Sequence, residues 1–344
     1  MKISICVPQY NRINFLLKSL AIIEKQSYNE IEIIISDDCS TDNTIEEITN
    51  LSKTFRYPII LSKNEYNRGF DYNYRRSIEL STGDYSLVIG NDDSLNGINS
   101  IQILVDFLKA NDTPEIGFCN CVDERDGNSL LKRAHKTEVI GSGANIALKY
   151  YSCFSFVGGL IYKKSAFDRF NTSKHDGSVY AQMYLGCLMI ASGCRIFSIE
   201  EPLVIKDILV NNTFRNSYRD RIAKKWKDYK VVDGGLPSVI NVLVSSFRDA
   251  KVLDQEIVFR IFKRIYLITL PFWIQDYKSN NALPAAVGII QGLIPISNKN
   301  YTLLSTINRI KIWAVYIAGS SASLILPNFI FRRFQTKLYQ FFKR

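Results

Sequence analysis

The chain has few of the residues that build metal or redox centres. Its 344 residues include only two histidines, His135 and His175, which excludes a multi-histidine metal site. The seven cysteines are an odd and scattered set. Their closest pair, Cys119 and Cys121, is C-x-C with no second pair to complete a zinc site, so reduced thiols in a cytosolic compartment are expected. The opening "ISICV" is too short for the apolar core of a signal peptide and runs into Pro8. No G-x-G-x-x-G follows the first predicted strand, and there is no Walker A loop, which argues against a dinucleotide fold and a P-loop. Internal repeats and low-complexity segments are also missing. Acids run out toward one end: from Tyr277 to Arg344 there are nine Lys and Arg and no Asp or Glu.

That last absence reflects a wider asymmetry. Residues 1–200 hold 21 Lys and Arg against 24 Asp and Glu, whereas residues 201–344 hold 22 against 9. A basic region implies an anionic partner. The same region is apolar, with "RIFKRIYLITLPFWIQDY" joining a basic face to aromatics and Ile312 to Phe331 carrying no charge between Arg309, Lys311, Arg332 and Arg333. Together these features favour an anionic membrane surface over nucleic acid, which is not expected as a partner. The 312–331 run is long enough to span a bilayer, but Pro327, Asn328 and three serines favour an in-plane or partly inserted helix.

Strand and helix patterns alternate up to about Cys121. "KISICVP", "IEIIIS", "PIILS", "YSLVI" and "IGFCNC" read as strands, and the continuous apolar run of the second marks a strand buried on both faces. Between them lie helical stripes: Leu16, Leu20 and Ile23; Ile45, Ile48 and Leu51; "DYNYRRSIELSTG", closed near Gly83; and Ile98, Ile101, Leu104, Val105 and Leu108. The expected class is α/β with a mostly parallel central sheet. Further on, a strand near Leu160, a helix over "YAQMYLGCLMIASG" and a strand at "CRIFSI" are predicted, followed beyond about Asn211 by basic helices broken by Pro and Gly. The expected division is an α/β domain over 1–210, with regular alternation in 1–125 and a weaker pattern in 126–210, and a membrane-associating helical region over 211–344.

In a parallel sheet, ligands bind beyond the carboxyl ends of the strands. Here those ends read "PQYNR", "SDDCSTD" and "GNDD", which should meet at one edge. Asp37, Asp38, Asp92 and Asp93 would then share that edge, and four carboxylates need cations or donors to be tolerable. With no histidine or cysteine pair nearby, a hard divalent ion, Mn²⁺ or Mg²⁺, suits the oxygen ligands. The alternative is helix capping, which fits Asp42 better than the adjacent pair Asp92 and Asp93. Tyr10 either stacks on a nucleobase or covers the sheet edge. Arg68 either faces a phosphate or is an ordinary surface arginine.

"ISICVPQYNR", "IEIIISDDCSTDNT", "NRGF" and "STGDYSLVIGNDDSL", in this order, resemble the successive signatures of family 2 glycosyltransferases with the GT-A fold. The resemblance covers about the first 125 residues and weakens to about residue 205. It implies that Pro8, Tyr10 and Asn11 line the nucleobase pocket and that Asp38 bonds the base or ribose. It also implies that Asp92 and Asp93 touch the ribose and hold the metal on the diphosphate. The fuller motif has an acid two places before Asp92, where this chain has Gly90. Many members also carry a Glu-Asp base pair about a dozen residues before a helix-ending glycine. Counting back from Gly193 gives Ala181 and Gln182, neither of which is a base. Asp176 is the nearest substitute and His175 the alternative, unless "NTSKHDGSVY" is only a polar turn.

The resemblance implies transfer of a sugar from a nucleotide-diphospho-sugar donor, with 1–210 as the catalytic domain, its nucleotide-sugar side in 1–125 and its acceptor side in 126–210. Taken with the basic apolar tail, it implies an undecaprenyl-diphosphate-linked glycan acceptor at the cytoplasmic face of a bacterial inner membrane. The "GNDD" variant resembles that of O-antigen deoxyhexosyl transferases such as abequosyltransferases. Two other classes compete. A catalytically silent sugar-nucleotide-binding scaffold would explain the missing Glu-Asp pair. A nucleotidyltransferase would need a glycine- and arginine-rich loop that "PQYNRINF" does not provide.

Overall fold

The strands that read as unbroken apolar runs are those covered on both faces. β2 (Ile31–Asp37) is buried at every position, β4 (Tyr85–Val88) likewise, and β1 (Ile3–Gln9) at all but Pro8. Each wholly buried isoleucine, such as Ile33, Ile34 or Ile35, contributes roughly 1.5–3 kcal/mol of burial. The structure, a computed structural model, describes residues 1–211, 236–327 and 329–331. The chain forms two compact units, one of residues 1–177 and 181–215 and the other of residues 178–180 and 216–344.

In the first unit β1 lies between β2 and β4, parallel to both, with Ile3 opposite Ile31 and Tyr85. β3 (Ile59–Lys63) pairs in parallel outside β2 and is only half-buried, as an outer strand should be. Beyond β4 the sheet continues through β9 (Leu160–Lys163), β6 (Ile116–Asp123), β10 (Ile196–Lys206) and β5 (Ser94–Leu95). β7 (Ser129–Leu131) pairs with β6, and β8 (Glu138–Gly141) pairs with β10. β9 runs antiparallel to both neighbours, so β6 and β10 regain the direction of β1 to β4 and six strands share one direction.

The helices bury the expected stripes. α1 (Ile13–Ile23) covers Ile13, Leu16, Leu20 and Ile23, and α2 (Thr44–Leu51) covers Ile48. α3 (Phe70–Glu79) ends four residues before Gly83. α4 (Ser100–Ala110) buries Ile101, Leu104, Val105 and Leu108, whereas Ile98 lies ahead of the helix and is exposed. α5 (Ala144–Tyr150) and α6 (Lys164–Phe170) are short, and α7 (Ala181–Ala191) is apolar all round and buried at every residue.

The second unit is helical: Val239–Asp249, Gln255–Arg264, a π-turn at Ile265–Thr269, then Leu270–Ser279, Leu283–Gly292 and Thr306–Ile325. Gly319 lets the last helix approach the π-turn, since a Cβ there would sit 2.7 Å from the Tyr266 carbonyl oxygen. The helix expected from Ile312 to Phe331 begins earlier and stops earlier. The Ser305 hydroxyl accepts from the Asn308 N–H at its start, and Leu326 turns extended before Pro327. Lys278 Nζ donates to the carbonyls of Leu324 and Leu326, 2.8 Å each, closing the far end. Among the described residues no helix is long and apolar enough to cross a membrane. Asn328, Arg332, Arg333 and the remainder of 212–235 and 332–344 lie outside the described residues.

Candidate active site

The shared register of β1, β2 and β4 delivers three loops to one edge. Gln9 lies opposite Asp37, and the Asp38 N–H donates to the Gln9 carbonyl at 2.9 Å. The Asn91 amide donates to Gln9 Oε1 at 2.8 Å, tying the third loop to the first. Asn11 and Cys39 both adopt left-handed backbone, φ 49° and 62°, which is costly without glycine and needs surrounding support. Asn11 receives it: its N–H donates to Ser40 Oγ, and its Oδ1 accepts from the Thr41 N–H at 2.7 Å.

Asp37 and Asp38 are buried among donors. Asp37 accepts from the N–H and hydroxyl of Ser40. Asp38 accepts from the Asn64 amide at 2.9 Å and from the N–H groups of Arg68 and Gly69 at 2.8 and 2.9 Å. Arg68 therefore reaches Asp38 through its backbone. Its guanidinium stacks 3.5 Å above the Tyr72 ring, with Tyr66 on another side. Tyr10 is 44% exposed at the same edge, and Pro8 sits within β1 opposite Ser36. Asp42 is a cap: it accepts from the N–H of Ile13 at 3.0 Å and of Thr44 at 3.2 Å, serving the first turns of α1 and α2.

Asp92 and Asp93 stand differently. Asp92 is ion-paired with Arg12, whose guanidinium also donates to Asn91 Oδ1 at 3.3 Å. Asp93 is buried, and among the described residues its carboxylate accepts from the N–H of Gly90 at 3.0 Å and of Asp207 at 3.2 Å and from no other group. Burial pushes the Asp92 carboxyl above its ordinary range, against the pull of Arg12. Burial and the neighbouring Asp92 charge push Asp93 well above it. A Cβ on Gly90 would sit 2.8 Å from Asp93 Oδ2 and 3.2 Å from Asp92 Oδ1, and one on Gly158 would sit 2.6 Å from Asp93 Oδ2. The position that lacks the third acid is thus the space into which both carboxylates lean.

A divalent ion fits this pair. The donors are oxygens only, they converge, and their charged forms lack full compensation. Among the described residues no group of three or more His, Cys, Asp and Glu gathers to hold a metal, so further ligands would come from a phosphate-bearing molecule.

Asp176 lies on the loop before α7, gripped by Arg75 through both oxygens at 2.8 and 2.6 Å. Arg75 is itself buried and also bonds Glu79 and Asn171. The His175 ring packs 4.3 Å from that of Tyr184. Ala181 opens α7, and its N–H donates to Asp71 Oδ1. Several partners in this region were not singled out from sequence: Arg12, Asn64, Asn91, Gly158 and Asp207. Arg12 alone carried a signal, a cation in the loop facing an acidic loop.

Comparison with known proteins agrees with this geometry. The family model described as glycosyl transferase family 2 matches residues 4–170. The protein named abequosyltransferase RfbV from Salmonella typhimurium is 32% identical over 60% of this chain and 66% of its own length, a little short of two thirds. A Campylobacter jejuni protein named GalNAc(5)-diNAcBac-PP-undecaprenol beta-1,3-glucosyltransferase is 27% identical over 63% of this chain and 70% of its own. Among solved structures, S. aureus TarS 1-349 in complex with UDP has a TM-score of 0.59 at 14% identity, covering 94% of this chain and 90% of its own. The mannosyltransferase PcManGT from Pyrobaculum calidifontis, in complex with GDP-Man and Mn²⁺, has a TM-score of 0.53 at 16% identity, covering 94% of this chain and 87% of its own. These likenesses establish a GT-A-type α/β fold, and the part of the chain that matches glycosyl transferase family 2 is residues 4–170.

Proposed function

We propose that this protein moves one sugar from a nucleotide-diphosphate donor to a lipid-linked oligosaccharide or surface glycan. The observation that carries the reading is the pair Asp92, partly buried, and Asp93, buried without a paired cation among the described residues, at the same sheet edge as Asp38 and Tyr10. In this reading Tyr10, Pro8 and Asn11 receive the base, Asp38 the base or ribose, Arg68 a phosphate, and Asp92 the ribose. Mn²⁺ or Mg²⁺ held by Asp93 and Asp92 would supply positive charge to the departing nucleoside diphosphate. The bond from sugar carbon to diphosphate oxygen breaks through an oxocarbenium-like state, and an acceptor hydroxyl attacks as a base takes its proton. Asp176 stays the candidate base, with His175 beside it. Arg75 occupies one lone pair on each Asp176 oxygen, and the second lone pair on each is the one that would take the proton.

The Campylobacter relative is named for an undecaprenol-linked acceptor, which supports the same class here. The second unit supports an anionic membrane surface as the place of work, on the cytoplasmic side. Its last helix buries Ile312, Tyr316, Ser320 and Ser323 and leaves Ile307 and Ile310, each 66% exposed, and Ile317 and Ile325 outward. No Asp or Glu follows Asp276 in the sequence, and Arg309 and Lys311 lie on the same helix as that apolar face. Sedimentation with vesicles should show binding that needs phosphatidylglycerol and drops on Ile307→Ser plus Ile310→Ser. Equal recovery of both proteins would remove this part.

The transfer itself is tested by release of nucleoside diphosphate from a panel of nucleotide sugars given undecaprenyl-diphosphate-linked glycans. Turnover with one donor, lost in Asp93→Ala, is the expected result. Tight donor binding with no turnover on any acceptor would favour the silent scaffold, a reading that the engagement of Asp176 by Arg75 keeps in play.

A further inference from the structure

Among the described residues, the charges around Asp92 and Asp93 nearly balance. Asp92 is paired with Arg12. Asp207, whose charge acts on Asp92, is paired with Lys206 at 2.7 Å and Arg125 at 3.6 Å, and these two cations also hold Asp123. Asp92, Asp93, Asp123 and Asp207 are thus set against Arg12, Arg125 and Lys206. Of these four acids Asp93 is the one that, among the described residues, has N–H donors and no cation.

Arg12 is well placed to hold its part of this balance. It sits at the start of α1, where its carbonyl accepts from the Phe15 and Leu16 N–H groups, so the root of the side chain is fixed. One guanidinium nitrogen contacts Asp92 Oδ2 and Asn91 Oδ1, and both charged side chains are four-fifths or more covered. Guanidinium does not give up its proton, so the charge is permanent.

We propose that Arg12 is the resident counter-cation of Asp92 and makes divalent-ion binding at the acidic pair conditional on the diphosphate. The inference rests on the donor-site reading above. One uncompensated carboxylate attracts a cation, but a doubly charged ion would overshoot by one charge at a partly buried site with a guanidinium close by. A diphosphate removes the surplus, so ion and nucleotide each favour the other by the same factor. Arg12 acts here through Asp92, as a positioning residue.

The test is calorimetric titration of Mn²⁺ into the full-length protein, alone and with saturating nucleoside diphosphate from the set UDP, GDP, CDP and dTDP. Wild type should bind Mn²⁺ weakly alone and far more tightly with the matching nucleotide. Arg12→Gln should tighten Mn²⁺ binding without nucleotide roughly tenfold and shrink the coupling between the two. Arg12→Lys, which keeps the charge, should restore the wild-type pattern, and near-ultraviolet circular dichroism checks that each variant is folded. A merely structural Arg12 would weaken Mn²⁺ binding when replaced, or leave it unchanged, and either result overturns the proposal. If no nucleotide binds under any condition, the donor-site reading fails instead.

Discussion

The two acid pairs at this sheet edge sit one strand apart and are held in opposite ways. Asp37 and Asp38 are surrounded by neutral donors from Ser40, Asn64, Arg68 and Gly69, each hydrogen bond made within the protein. Among the described residues, Asp92 and Asp93 are met by the Arg12 guanidinium and the N–H groups of Gly90 and Asp207, and both are pushed toward the neutral form. The first pair is a finished polar scaffold that shapes loops. The second is short of positive charge. Burial alone does not separate them, since Asp37, Asp38 and Asp93 are all buried. What the carboxylate oxygens accept from does.

The largest effect that would sharpen this contrast is at Asp93. Asp93→Asn keeps the shape and removes the charge, so sugar transfer should fall about 10²–10³-fold with the melting temperature little changed, as followed by product release and calorimetry. Activity within a few-fold of wild type would erase the distinction between the pairs. Asp38→Ala should do the reverse in stability: it strands the N–H groups of Arg68 and Gly69 and the Asn64 amide, at a cost of about 2–3 kcal/mol in urea unfolding.

Gly90→Asp is the next test. It supplies the acid of the fuller family motif, yet its Cβ would collide with the Asp93 carboxylate, so about 1–3 kcal/mol of stability and part of the metal-dependent nucleotide affinity should be lost. A gain in affinity would show that the pair can move aside.

The smallest effect belongs to Glu32, a control at the other end of β2. Burial raises its pKa, but hydrogen bonds from Lys2, Ser4 and Thr82 outweigh that and hold it at about 2. With the folded value below the ordinary 4.5, its stabilisation is complete above pH 4.5 and is lost as pH falls toward 2. Glu32→Gln should flatten the acid limb of the melting curve and leave nucleotide binding untouched.

Much of this edge was legible in the sequence because it depends on local pattern. Apolar runs marked β1, β2 and β4, and parallel pairing then forced their ends together, acids included. The antiparallel β9 between β4 and β6 was not legible, since "LIYK" carries no mark of direction. Nor were the partners: Arg12 meets Asp92 across 80 residues and Arg75 meets Asp176 across 101, and such pairings are set by packing. The C-terminal helix was displaced for a local reason that hydropathy does not weigh, the cap at Ser305 and the stop before Pro327.

The central claim, that Asp92 and Asp93 form a metal-assisted diphosphate site, is tested most directly by thermal shift with UDP, GDP, CDP and dTDP, each with and without Mn²⁺, on wild type and Asp93→Asn. Ligand that binds only the native state raises the melting temperature. The account predicts a shift with one nucleotide that depends on Mn²⁺ in wild type and loses that dependence in Asp93→Asn. No shift with any nucleotide on folded protein, or the same metal-dependent shift in the variant, would contradict it.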